Sequence, residues 1–178
     1  MNNYTLDDVK EGTESIIDGL HYHFENYRIL NQSISRTTNK HLHTTPEEWS
    51  KNEMVVNKMK HEMIAYFNRL GMFYYFATSV PVKAKIPNPE TFIPTIKKFL
   101  PFRLKYTAHR AIDRPRDENP TYMNQLNRLF STQAIFVCGN LVFQMINDSP
   151  EKNLHFDLLE EHPKIEQEAL HFLEELKN

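Results

Sequence analysis

The chain has 178 residues, 40% of them apolar and 12% aromatic, enough to bury a hydrophobic core without staples and too apolar for a disordered segment. Its four glycines are few for a large β-sandwich or barrel, which needs many tight turns, and no phosphate-binding glycine loop is present. The expectation is a mainly α fold, one helical domain over residues 1–178. A formal charge of −2 provides no bulk attraction for nucleic acid, so any such contact must come from a local basic patch.

Cys138 is the only cysteine, which rules out an internal disulfide and suits a reducing cytoplasm. Its apolar neighbours favour an inert buried thiol over a nucleophile. The N-terminus is polar and acidic, unlike a secretory signal, and no stretch reaches the roughly 18 apolar residues of a membrane span. A cytoplasmic protein without membrane attachment is expected.

In chain order, Thr5 with Asp7 and Asp8 starts a first helix, whose Ile16, Leu20, Phe24 and Tyr27 recur at helical spacing until about Ser35. Residues 36–44 read as a polar loop. Thr45-Pro46-Glu47-Glu48 is a helix start with a cap, a proline at the first position and a capping-box glutamate. The stripe Val56, Met59, Met63, Phe67, Leu70 and Tyr74 then predicts a long second helix ending before Pro81. In Phe73-Tyr74-Tyr75-Phe76, the core is favoured over an exposed surface.

The prolines at 81, 87, 89, 94 and 101 predict a loop, then a short helix from Asn88-Pro89-Glu90 to Leu100. Pro101 starts a further helix through Arg103 and His109 to about Ile112. Residues 113–119 form a charged loop, and Asn119-Pro120 opens a helix through Phe130. Residues 133–146 are β-rich on both sides of Gly139-Asn140, which predicts a small β-hairpin. One buried helix from Tyr122 to Ile146 is the competing reading, because periodicity alone does not separate the two. Pro163 starts a last helix, with Ile165, Ala169, Phe172, Leu173 and Leu176 inward and its glutamates in water.

Nine histidines raise the question of a metal site. His21 and His23 lie two apart on a helix and point about 200° apart, so they do not chelate one ion together. His41-x-His43 has no carboxylate or third histidine close in sequence, and neither a His-Glu-x-x-His pattern nor paired cysteines occur. No metal and no cofactor are expected. Glu160, Glu161, Glu166 and Glu168 read as a solvated helix face, with nothing apolar around them to raise a pKa.

The chemistry-bearing stretch is Pro101-Phe-Arg-Leu-Lys-Tyr-Thr-Ala-His-Arg-Ala-Ile-Asp113, in which five residues separate Arg103 from His109. It resembles the signature of the HEPN family, an arginine and a histidine four to six residues apart. Lys105, Tyr106, Ala108, Arg110 and the charged turn after Asp113 are similar in texture, and the long helix before and helical tail after resemble the bundle such proteins form. The resemblance implies a HEPN-like helical bundle with metal-independent endoribonuclease activity of toxin or defence type. His109 would act as general base or acid at a ribose hydroxyl, and Arg103 would stabilise charge on the phosphate. Residues six apart differ by about 120° around a helix axis, and the family resolves this by pairing two such helices in a homodimer.

Lys105, Tyr106, Arg110 and Arg114 are the expected RNA-binding residues, supplying charge and one stacking ring. A second reading stays open. Lys105, His109 and Asp113 are four apart and would line one helix face as a structural polar stripe. Leu104 stands where active members carry a polar residue. Both features favour a non-catalytic helical module that binds RNA, a nucleotide or a protein partner.

Overall fold

The computed structural model describes residues 5–34, 46–103, 131–137, 140–146 and 153–178; for residues 46–50, 52 and the first two strands, Val142 excepted, only the backbone is described. Helix α1 runs Leu6–Ser33. Its start is a closed capping box: the Thr5 hydroxyl accepts from the Asp8 amide at 3.1 Å, and the Asp8 carboxylate accepts from the Thr5 amide at 2.7 Å. Its buried face is Val9, Thr13, Ile16, Ile17, Leu20, Tyr27 and Asn31. Phe24, expected on that face, is only partly buried and packs at its margin.

Helix α2 spans Pro46–Ala77 and lies along α1. Pro46 opens it as expected; Thr45, its expected cap, falls outside the described residues. Val55, Met59, Met63, Tyr66, Phe67, Leu70, Phe73 and Ala77 are its buried positions, so the stripe is rotated slightly from the expected one. Val55 replaces Val56, and Phe73 rather than Tyr74 is the fully buried ring. Tyr75 is 67% exposed, so the four-aromatic run divides between core and solvent, as consecutive positions on a helix must.

The proline-rich stretch differs from expectation. Pro81 does not lie in a loop but in the first turn of a short helix α3, Val80–Lys85, where its fixed φ is compatible and its missing N–H is not needed. Pro89–Phe92 is a single 3-10 turn. Helix α4 starts at Pro94 and continues to Arg103 with Pro101 inside it, so no helix boundary falls at Leu100. A partner from elsewhere in the chain explains why the helix starts at Pro94 rather than at Asn88. The Thr95 amide donates to both Glu168 carboxylate oxygens at 3.0 Å, and the Ile96 amide donates to one at 3.2 Å. A carboxylate there satisfies amides that have no intrahelical acceptor and suits the positive helix end.

Strands β1 (Ser131–Val137) and β2 (Asn140–Ile146) form an antiparallel hairpin, not the competing buried helix. Val137 pairs with Asn140, so Asn140 of the Gly139-Asn140 pair that signalled the turn already belongs to β2. A third strand the sequence did not signal, β3 (Leu154–Asp157), pairs with β2 to complete a three-stranded meander. Helix α5 follows directly as Leu158–Lys177. It begins before Pro163 because Asp157 accepts from the Leu159 amide at 2.9 Å and Glu160 and Glu161 occupy the first turn. Ile165, Ala169, Phe172, Leu173 and Leu176 all face the core.

The described residues are mainly helical, with α1, α2, α4 and α5 around one buried cluster. The sheet joins it through Phe156 of β3, whose ring lies 4.8 Å from Phe99, 4.9 Å from Phe67, 6.0 Å from Phe102 and 6.1 Å from Tyr66. No helix among the described residues is long and apolar enough to cross a membrane.

Candidate functional site

Arg103 is the one expected site residue that falls within the described structure; His109, Lys105, Tyr106, Arg110 and Arg114 lie outside it. Arg103 is half-buried at the last position of α4 and reaches across α2 at Gly71. A Cβ at Gly71 would stand 1.8 Å from Arg103 Cδ and 2.3 Å from Nε, far inside van der Waals contact. The missing side chain at Gly71 is therefore the groove through which the guanidinium stem passes. Gly19 of α1 receives Arg69 of α2 in a similar way, with Nε 2.9 Å from a built Cβ. The ring of Phe102, one residue before Arg103, stacks on Phe67 of α2 at 5.3 Å and 11°, which fixes the end of α4 against α2.

A second constellation was not read from the sequence. His162 of α5 is buried, its side chain 3% exposed. Its ring stacks on Phe24 at 3.9 Å and 15°, and its Nδ1 lies 3.0 Å from the Tyr66 hydroxyl. Its Nε2 has no hydrogen-bond partner among the described residues, an arrangement that ordinarily costs about 1–3 kcal/mol. Burial lowers the His162 pKa to about 4, so the ring is neutral near pH 7, and burial raises that of the Tyr66 phenol, which keeps its proton.

Glu166, one turn along α5, lies with Oε1 3.7 Å from His162 Nε2 and 3.1 Å from Nδ1 of His21 on α1. The potential ligand atoms of His21, His162 and Glu166 all fall within 4.8 Å of one another. His21 and His23 point to different partners, as their spacing requires: His23 Nδ1 is 2.7 Å from Glu62 of α2. Glu166 and Glu168 are thus not a merely solvated face; one meets two histidines and the other caps α4. The available signal was His162-x-x-x-Glu166, a helical i,i+4 pair, hidden once the helix is taken to start at Pro163.

Compared with known proteins, the chain matches no family model, no curated protein and no solved structure.

Proposed function

We propose that this chain is a HEPN-like, metal-independent endoribonuclease that works as a homodimer, with Arg103 and His109 of each copy facing one cleft. The observation that carries the reading is the anchoring of Arg103: α4 presents it from the end of a packed element, with its stem held in the Gly71 groove. A cation held in one direction is what stabilising a phosphate demands, since preorganised charge need not reorganise during reaction. The spacing Arg103-x5-His109 supplies the acid–base partner from the same stretch of chain. His109 removes the proton from the ribose 2′-hydroxyl, the 2′ oxygen attacks phosphorus, and the 5′ oxygen leaves. A 2′,3′-cyclic phosphate end remains. Lys105, Tyr106, Arg110 and Arg114 hold the strand.

The test is incubation with labelled single-stranded RNA in excess EDTA, beside His109→Ala and Arg103→Ala. The wild type should cleave, leaving cyclic phosphate ends, and His109→Ala should lower the rate by at least about 100-fold, the scale of general acid–base catalysis. Light scattering on the same samples should report a dimer. Leu104 favours a second reading, a helical module that binds RNA, a nucleotide or a protein partner without cutting. RNA retained but uncut by every variant would select that reading. Equal cleavage by wild type and His109→Ala would remove His109 from the chemistry.

A further inference from the structure

The His21–His162–Glu166 cluster lies where α1 meets α5, and the proposed RNA chemistry does not use it. We propose that it binds one divalent transition-metal ion of the zinc class, through a ring nitrogen of His21, His162 Nε2 and Glu166 Oε1, with the fourth position open to water.

The donor set selects the ion: two imidazoles with one carboxylate suit zinc and its neighbours, whereas magnesium and calcium take oxygen ligands. In a tetrahedral zinc site the ligand atoms stand about 3.3 Å apart. Two edges of the triangle are already 3.1 and 3.7 Å, and the third is no more than 4.8 Å. His21 is 56% exposed, so its ring is free to turn and close that edge, and an ion can enter from its side. His162 and Glu166 form a chelate on successive turns of one helix, which needs no rearrangement of backbone.

An independent feature marks His162 as a ligand. Its Nε2 is buried without a hydrogen-bond partner among the described residues, and it faces Glu166. Its other nitrogen is in contact with the Tyr66 hydroxyl. When Nδ1–H donates to that oxygen, the lone pair on Nε2 is directed into the cluster; metal-binding histidines are commonly oriented this way by an outer partner. The bound ion would tie the first helix to the last.

The experiment uses the untagged full-length chain, stripped with chelator and dialysed, then titrated with Zn²⁺ in competition with a chromophoric chelator; Co²⁺ provides a visible spectrum. One equivalent of Zn²⁺ should bind, Co²⁺ should show ligand-field bands of a four- or five-coordinate site, and Zn²⁺ should raise the melting temperature. His21→Ala and Glu166→Gln, both at accessible positions, should each weaken binding by at least about tenfold, and Tyr66→Phe by about tenfold through the outer partner. Circular dichroism before metal addition shows that each variant folds. Absence of stoichiometric binding to the wild type overturns the proposal. So does unchanged affinity in both His21→Ala and Glu166→Gln, which would move the ion to other histidines such as His41 and His43. No RNA enters the assay, so its outcome is independent of the nuclease reading.

Discussion

At the scale of single residues, Gly71 and Arg103 behave as one unit. An alanine in mid-helix is favoured over glycine by about 1 kcal/mol, and Gly71→Ala would gain that term. The added methyl would occupy the space of Arg103 Cδ and Nε, so the guanidinium must leave its groove. The lost packing of the arginine stem offsets that gain, so the expected result is a variant that still folds, by circular dichroism, with RNA cleavage in EDTA lowered to the level of Arg103→Ala. Wild-type cleavage by G71A would show that the groove does not position the arginine. Nothing in the residues around position 71 announces this role, because a lone glycine inside an apolar helical stripe reads only as a weak point. The contact joins residues 32 positions apart and exists only once α4 lies on α2.

At the scale of elements, the local signals that proved sufficient are caps and periodic stripes. Thr5 with Asp8 closes α1, and the inward residues of α5 agree with their spacing. Prolines misled the reading, because the same residue that ends one helix is welcome in the first turn of the next, as at Pro81 and Pro94. Glu168 decides where α4 starts. Glu168→Ala leaves the amides of Thr95 and Ile96 without their acceptor and should cost about 1–2 kcal/mol, read as a lower urea midpoint with an unchanged slope. Glu168→Gln keeps an accepting oxygen without the charge, so its loss should be smaller. Equal stability of the alanine variant and the wild type would mean that water replaces the cap at no loss.

For the whole molecule, Phe156 connects the sheet to the bundle, with Leu154 of the same strand packed at the margin of the core. Its ring meets aromatic side chains from α2 and α4, and it is fully buried. Phe156→Ala should destabilise by about 3–5 kcal/mol, because the cavity is lined by rigid rings that do not collapse into it. The measurement is equilibrium unfolding in urea; a loss under about 1 kcal/mol would show that the sheet contributes little to the bundle. β3 itself was invisible beforehand, since four residues directly ahead of a helix carry too short an alternation to register.

What the sequence by itself determined are the features that depend on neighbours along the chain: helical character, the cap of α1, the inward face of α5, and the β-rich pair of segments flanking Gly139. These follow from hydrogen bonds and side-chain spacing within a few residues. Only the tertiary structure decided which distant groups meet. His21 stands 145 residues from Glu166, Glu168 reaches back 73 residues to Thr95, and Arg103 enters a gap at Gly71. Such contacts arise when whole faces pack, and the burial of His162 comes from three helices at once, so no local pattern could encode it.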